Sequence, residues 1–92
     1  MSGTVVRARV TILNLRGLHA RAAAKFVRLA ADFDAEVTVM ANGTEVPGCS
    51  IMGLMMLAAA RGSELELRAT GPAAQDVVDA LAHLIEKKFD ED

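Results

Sequence analysis

His19 is one of two histidines in this 92-residue chain. It stands in GLHARAAAKF, residues 17–26, between a glycine-leucine pair and a run of helix formers, with Arg16 and Arg21 to either side. If a helix starts near Ala20, His19 lies at or just before its N-cap, where up to four backbone N–H groups lack intrahelical partners and the peptide dipoles leave partial positive charge. That setting favours an anion and disfavours an imidazolium, so the ring works in its neutral form, with a nitrogen lone pair available near neutral pH. A neutral imidazole can attack a phosphoryl group without a separate base, because the attacking nitrogen has no proton to lose. The transferred group would land beside free N–H donors and beside Arg21, whose planar guanidinium grips two oxygens at once. The small side chains of Ala20, Ala22, Ala23 and Ala24 would leave the nitrogen open to a partner's active site. Position alone does not establish such a role, since most histidines at helix starts carry no reaction.

A second candidate is Ser50, which reads as the N-cap of a short helix, with Ile51, Leu54, Met55 and Ala58 facing inward. Met52, Gly53 and Met56 fall off that stripe and should be exposed, forming an adaptable patch for docking several partners. His83 lies on the polar side of the last helix one turn after Asp79, and is assigned no role. Cys49, His19 and His83 lack any short metal-ligand spacing, so neither metal nor cofactor is expected. No glycine-rich nucleotide loop is present either, which argues against autonomous kinase activity.

The elements that position these residues follow from periodicity. Val6, Ala8, Val10 and Ile12 alternate with Arg7, Arg9 and Thr11, a half-buried strand. From Ala20 to Asp32 the period lengthens: Ala23, Phe26, Val27, Ala30 and Phe33 form a helical stripe, opposite a basic face with Arg21, Lys25 and Arg28. AEVTVMANGTEV returns to alternation around Asn42-Gly43, a two-residue hairpin turn, and Pro47 ends a short edge strand. Gly62 is expected to terminate the short helix before the fourth strand, SELELRA. After Gly71-Pro72 comes a last helix with Ala74, Val77, Val78, Leu81, Leu84, Ile85 and Phe89 as its apolar stripe. The tail EKKFDED places acidic groups past a helix C-terminus, where the dipole disfavours them, and is expected to fray. The order β-α-β-β-α-β-α is most simply satisfied by an α+β two-layer sandwich: one sheet, three helices on one face, and a single domain over residues 1–92. The other face, with Arg7, Arg9, Glu36, Thr38, Glu64, Glu66 and Arg68, should meet water.

Composition limits the function classes. Hydrophobic residues make up 52% of the chain, with three Phe and no Trp or Tyr, so the core is aliphatic and stacking on bases is not expected. A net charge of -2 gives the whole chain no attraction to nucleic acid or to an anionic membrane. The longest apolar run, Ile51 to Ala60, falls short of the roughly 20 residues a membrane span needs. The lone Cys49 forms no disulfide within the chain, and a cytoplasmic protein is expected.

GLHARAAAKFV, taken with NGTEVPGCSIMGLMMLAAARGSELEL, resembles HPr, the family of histidine-containing phosphocarriers of the bacterial phosphoenolpyruvate-dependent phosphotransferase system. Two separated motifs in the right order cover nearly the whole chain. The resemblance implies an open-faced sandwich with an antiparallel sheet of order 1-4-2-3. It makes His19 the phosphorylated residue, carrying phosphate on Nδ1, and Arg21 the group that stabilises it. Where the family usually has proline, this chain has Ala22, which gains one N–H donor at the helix start. Ser50 takes the place of the family's regulatory serine, the substrate of an HPr kinase/phosphorylase. The first two helices would form the surface offered to enzyme I and to enzyme IIA-type domains. Arg16, Ala20, Ala24, Lys25, Arg28, Met52, Gly53 and Met56 would lie on that surface, in a protein with no need to self-associate. The rival readings are a regulatory module acting through Ser50 or unmodified binding, and a small-ligand or RNA-binding α+β domain.

Overall fold

Val10 and Ile12 are buried while Arg9 and Thr11 are exposed, and this alternation fixes which face of the first strand turns inward. The computed structural model describes residues 5–91. In chain order it contains β1 (Val6–Thr11), α1 (Ala20–Ala30), β2 (Glu36–Ala41), β3 (Thr44–Pro47), α2 (Ile51–Met56), β4 (Glu64–Thr70) and α3 (Ala74–Glu86). The four strands form one antiparallel sheet of order β1-β4-β2-β3, as the resemblance implies. Register keeps each face consistent: Val10 pairs with Leu65 and Val39 with Leu67 on the inner side, Arg9 with Glu66 and Thr38 with Arg68 on the outer. The outer face is laced by Arg68 Nε donating to Glu66 Oε2 at 2.7 Å. The β2–β3 turn is the expected one, because Asn42 and Gly43 both take positive φ, 53° and 80°, and so match the twist of the strands they join.

The helices cover the inner face. Phe26 of α1, Leu54 of α2, and Val77, Leu81 and Ile85 of α3 are all fully buried with Ile12, Val39, Leu65 and Leu67. None of the helices among the described residues is long and apolar enough to cross a membrane.

The structure departs from the periodicity reading in four places. Helix α1 stops at Ala30 rather than Asp32. In α2, only six residues long, Leu54 alone is buried, while Ile51, Met55 and Ala58 are exposed. Fewer than two turns cannot present a long stripe; Ala58 instead turns left-handed at φ 53°, and the buried side chains become Leu57 and Ala59. Gly62 therefore does not terminate the helix. It sits at φ 92° in the turn into β4, where its N–H donates to the Ile12 carbonyl at 2.8 Å.

The fourth departure is the tail, which does not fray. Helix α3 ends at Glu86, and Lys88, Phe89 and Asp90 form a left-handed turn with φ of 60°, 55° and 63°. Left-handed backbone costs an L-residue about 1–2 kcal/mol. The turn is offset by Phe89, which it drives fully into the core, and by Lys25 Nζ donating to the Phe89 carbonyl at 2.6 Å. Phe89 is thus a core residue, as its apolar character suggests, but from a turn and not from the helical stripe. Asp92 of the quoted tail lies outside the described residues.

Candidate functional site

The loop from β1 to α1 is tied down before it reaches His19. Gly17 takes φ 68°, and a Cβ built there would lie 2.6 Å from the Ala59 carbonyl oxygen, so glycine meets both a backbone and a space requirement. Leu18 is buried, and its N–H donates to the same Ala59 oxygen at 2.9 Å. Asn14, fully buried, donates from Nδ2 to the Gly17 carbonyl at 2.8 Å, while its Oδ1 has no partner among the described residues.

His19 follows as the N-cap residue of α1, with extended backbone (φ -79°, ψ 179°) and a side chain that does not cap the helix. Its carbonyl accepts the first helical bond, from Ala23 N–H at 2.8 Å. The N–H groups of Ala20, Arg21 and Ala22 have no hydrogen-bond acceptor among the described residues. No acidic residue occupies the first turn of α1, so the positive end of the helix is uncompensated there. Arg21, at the second helical position, is exposed and makes no ion pair among the described residues. The arrangement supplies a half-buried imidazole, free amides and a guanidinium within one turn of chain, a setting for an anion attached to the ring.

His19 Nε2 is hydrogen-bonded to Glu91 Oε2, from the segment after α3, and Glu91 Oε1 in turn accepts from Asn14 Nδ2 at 2.9 Å. Burial pushes the Glu91 carboxyl upward, but the hydrogen bonds from Asn14 and His19, then the charges of His19 and Arg16, outweigh it and leave the group below its ordinary value. Asn14 and Glu91 were missed by the sequence reading. A buried polar residue in NLRG was the only available signal for Asn14, and nothing in EKKFDED announced that a left-handed turn would carry Glu91 back to His19.

The remaining predicted residues divide cleanly. Ser50 is half-buried and caps α2, its Oγ accepting the Gly53 N–H at 2.9 Å. Met52 and Met56 are exposed, at 72% and 77%, as their place off the helical stripe implies. Gly53 is only half-buried, because its Cα faces Val46 and Ser50 closely enough that a Cβ would lie 3.2 Å from Val46 Cβ. Arg16, Ala20 and Arg28 are exposed; Ala24 and Lys25 are half-buried, and Lys25 is engaged with Phe89. Ala22 and Ala23 do not line an open approach, being fully buried on the inner side of α1. Leu15, 71% exposed, adds an apolar side chain from the loop before His19 that the sequence reading did not single out. His83 is exposed and lines a groove of about 480 Å³ between α1 and α3 with Lys25, Arg28 and Lys87. His19 stands outside that groove.

Comparison with known proteins agrees with this geometry. A family model described as "PTS HPr component phosphorylation site" matches residues 6–87. Phosphocarrier protein HPr of Cupriavidus necator is 49% identical over 81 residues, which span 88% of this chain and 91% of the relative. Phosphocarrier protein NPr of Shewanella violacea is 41% identical over 88 residues, 96% of this chain and 97% of the relative. Among solved structures, HPr-C-His from Thermoanaerobacter tengcongensis superposes with a TM-score of 0.90 at 38% identity, covering 95% of this chain and 98% of that one.

Proposed function

Because the chain belongs to the HPr family of phosphocarrier proteins, we propose that it accepts a phosphoryl group from phospho-enzyme I on His19 Nδ1 and hands it to an enzyme IIA-type domain. The observation that carries this reading is the position of His19: a half-buried N-cap imidazole at a helix end whose first three amides are unaccepted among the described residues, with an exposed guanidinium two residues on.

Transfer forms one bond and breaks one. The Nδ1 lone pair attacks phosphorus, and the bond from phosphorus to the donor atom breaks with its electron pair leaving on the donor. The incoming group brings close to two negative charges, which the exposed amides of Ala20 and Arg21 and the Arg21 fork would meet. The onward step runs the same exchange with His19 as leaving group. Nothing in this chemistry asks the chain to enclose a small substrate, which fits a nucleophile on an open surface. Leu15, Met52 and Met56 supply apolar contact for a docking protein, and Arg16 and Arg28 supply charge that steers an acidic one. Ser50 serves α2 as its cap in this reading.

Incubation with enzyme I and labelled phosphoenolpyruvate tests the proposal. The protein should take up acid-labile label, and His19→Ala should take up none. A fully folded protein that stays unlabelled would leave the regulatory reading in its place.

A further inference from the structure

Met40, Met52, Met55 and Met56 are the methionines among the described residues, and none of them belongs to the buried core, whose apolar side chains are those of Ala, Val, Leu, Ile and Phe. Three of them stand on the six-residue α2, which carries no charged residue and buries Leu54 alone. Met52 and Met56 are the most open, at 72% and 77%, against 42% for Met55, while Met40 on β2 is half-buried. Four residues apart, Met52 and Met56 share one side of the helix. The chain just past Met56 packs on the loop that leads to His19: the Ala59 carbonyl accepts the Leu18 N–H at 2.9 Å, and a Cβ on Gly17 would meet the same oxygen at 2.6 Å. Two accessible thioethers therefore sit on the element braced against the nucleophile's loop.

We propose that Met52 and Met56 are a reversible oxidation site through which a peroxide weakens docking at this surface, an inference that rests on the carrier reading and on the apolar contact it gives these two side chains. The thioether sulfur attacks one peroxide oxygen. A sulfur–oxygen bond forms as the oxygen–oxygen bond breaks, and the departing oxygen takes the proton of the transferred one and leaves as water. Sulfur loses two electrons and the peroxide gains them. A dithiol reverses the change: the sulfoxide oxygen leaves as water and the dithiol closes to a disulfide. The sulfoxide is polar where the thioether is apolar. A partner that dries this patch on docking must strip water from the new oxygen, and an interface built for a thioether offers no donor in return. The fold is spared, because neither side chain lies in the core and α2 is held by Leu54 and by the Ser50 cap. The ring of His19 is untouched, so oxidation acts on association and leaves the chemical step alone.

Cys49 is exposed and oxidisable too, so the test uses a Cys49→Ser background throughout. The protein is treated with hydrogen peroxide, freed of it, and mapped by peptide mass spectrometry. One added oxygen should appear on each of Met52 and Met56 before Met55 or Met40, with the urea midpoint unchanged. As a substrate of enzyme I with labelled phosphoenolpyruvate, the oxidised protein should show a KM about tenfold above that of its untreated form, at an unaltered kcat. A methionine sulfoxide reductase supplied with a dithiol should restore the original KM. Met52→Leu with Met56→Leu, compared only with its own untreated form, should lose the response to peroxide. Oxygen added first to Met55 or Met40, a lowered urea midpoint, an unchanged KM after oxidation at Met52 and Met56, or a double variant that still responds overturns the proposal and leaves the carrier reading standing. An untreated protein that takes up no label overturns both.

Discussion

Arg21 leaves α1 at its second position with its side chain exposed and no ion pair among the described residues, and in the carrier reading its guanidinium serves the group attached to His19. Charge and shape contribute separately. A lysine at this position keeps the charge as a point, whereas arginine presents a planar fork matched to two phosphate oxygens. Arg21→Ala should therefore lower the phosphorylation equilibrium of His19 by about tenfold or more, with Arg21→Lys intermediate, as read by labelled phosphate at fixed donor concentration. Equal labelling of Arg21→Lys and the unaltered protein would mean that only the charge matters. Ala22, where the family usually has proline, belongs to the same scale: it is the third residue of α1, and its N–H has no acceptor among the described residues, but the residue is fully buried, so the extra donor is enclosed and not presented on the surface. His19, Arg21 and Ala22 were legible because an N-terminal helix signature is local in sequence. Glu91 was not, because a contact between residues 72 positions apart depends on where a turn of unusual backbone sends the chain.

At the scale of elements, the site depends on how the β1–α1 loop is held against the loop after α2. Gly17 is the tightest point, with φ 68° and only 2.6 Å from a hypothetical Cβ to the Ala59 carbonyl oxygen, itself the acceptor for Leu18 N–H. Gly17→Ala should cost about 2–4 kcal/mol by urea unfolding, combining left-handed backbone with a backbone clash that no rotamer relieves. The substitution should also weaken phosphate uptake, because it displaces the N-cap relative to α1. A variant with unaltered stability would show that the two loops are not packed as described. Strands and their faces were readable from alternation, and Asn42-Gly43 announced its own turn. The short helix was not: IMGLMMLAAA offers apolar residues on every side, and only packing decides that Leu54, Leu57 and Ala59 go in while Ile51, Met55 and Ala58 stay out. The end of α3 failed for a related reason, since Phe89 continues the apolar stripe by spacing yet reaches the core through a reversed turn.

At the scale of the whole molecule, two carboxylates among the described residues sit below their ordinary values for different reasons, and acid should tell them apart. Glu66 lies on the open sheet face, lowered first by its hydrogen bond from Arg68 and opposed by burial, with the charges of Arg68, Arg7 and Arg9 adding to the lowering. Glu91 is lowered despite burial, by Asn14 and His19 and then by the charges of His19 and Arg16. In both cases the folded state binds the proton less readily than the unfolded chain, so each contributes stability at pH above the ordinary carboxylate range and loses it as pH falls through the depressed folded value. The stability difference between the unaltered protein and each of E91Q and E66Q should thus close as pH falls below the ordinary carboxylate range. Salt separates them. Glu66 and its arginines are solvent-facing, and about 1 M salt should erase most of the E66Q difference. Glu91 and its partners are partly enclosed between the β1–α1 loop and the Phe89 turn, and direct hydrogen bonds there are screened far less. Urea unfolding of the two variants across pH, at low and high salt, checks the argument: an E91Q difference that vanishes with salt as readily as that of E66Q would place Glu91 in open solvent, and remove the physical basis for a carboxylate held against His19.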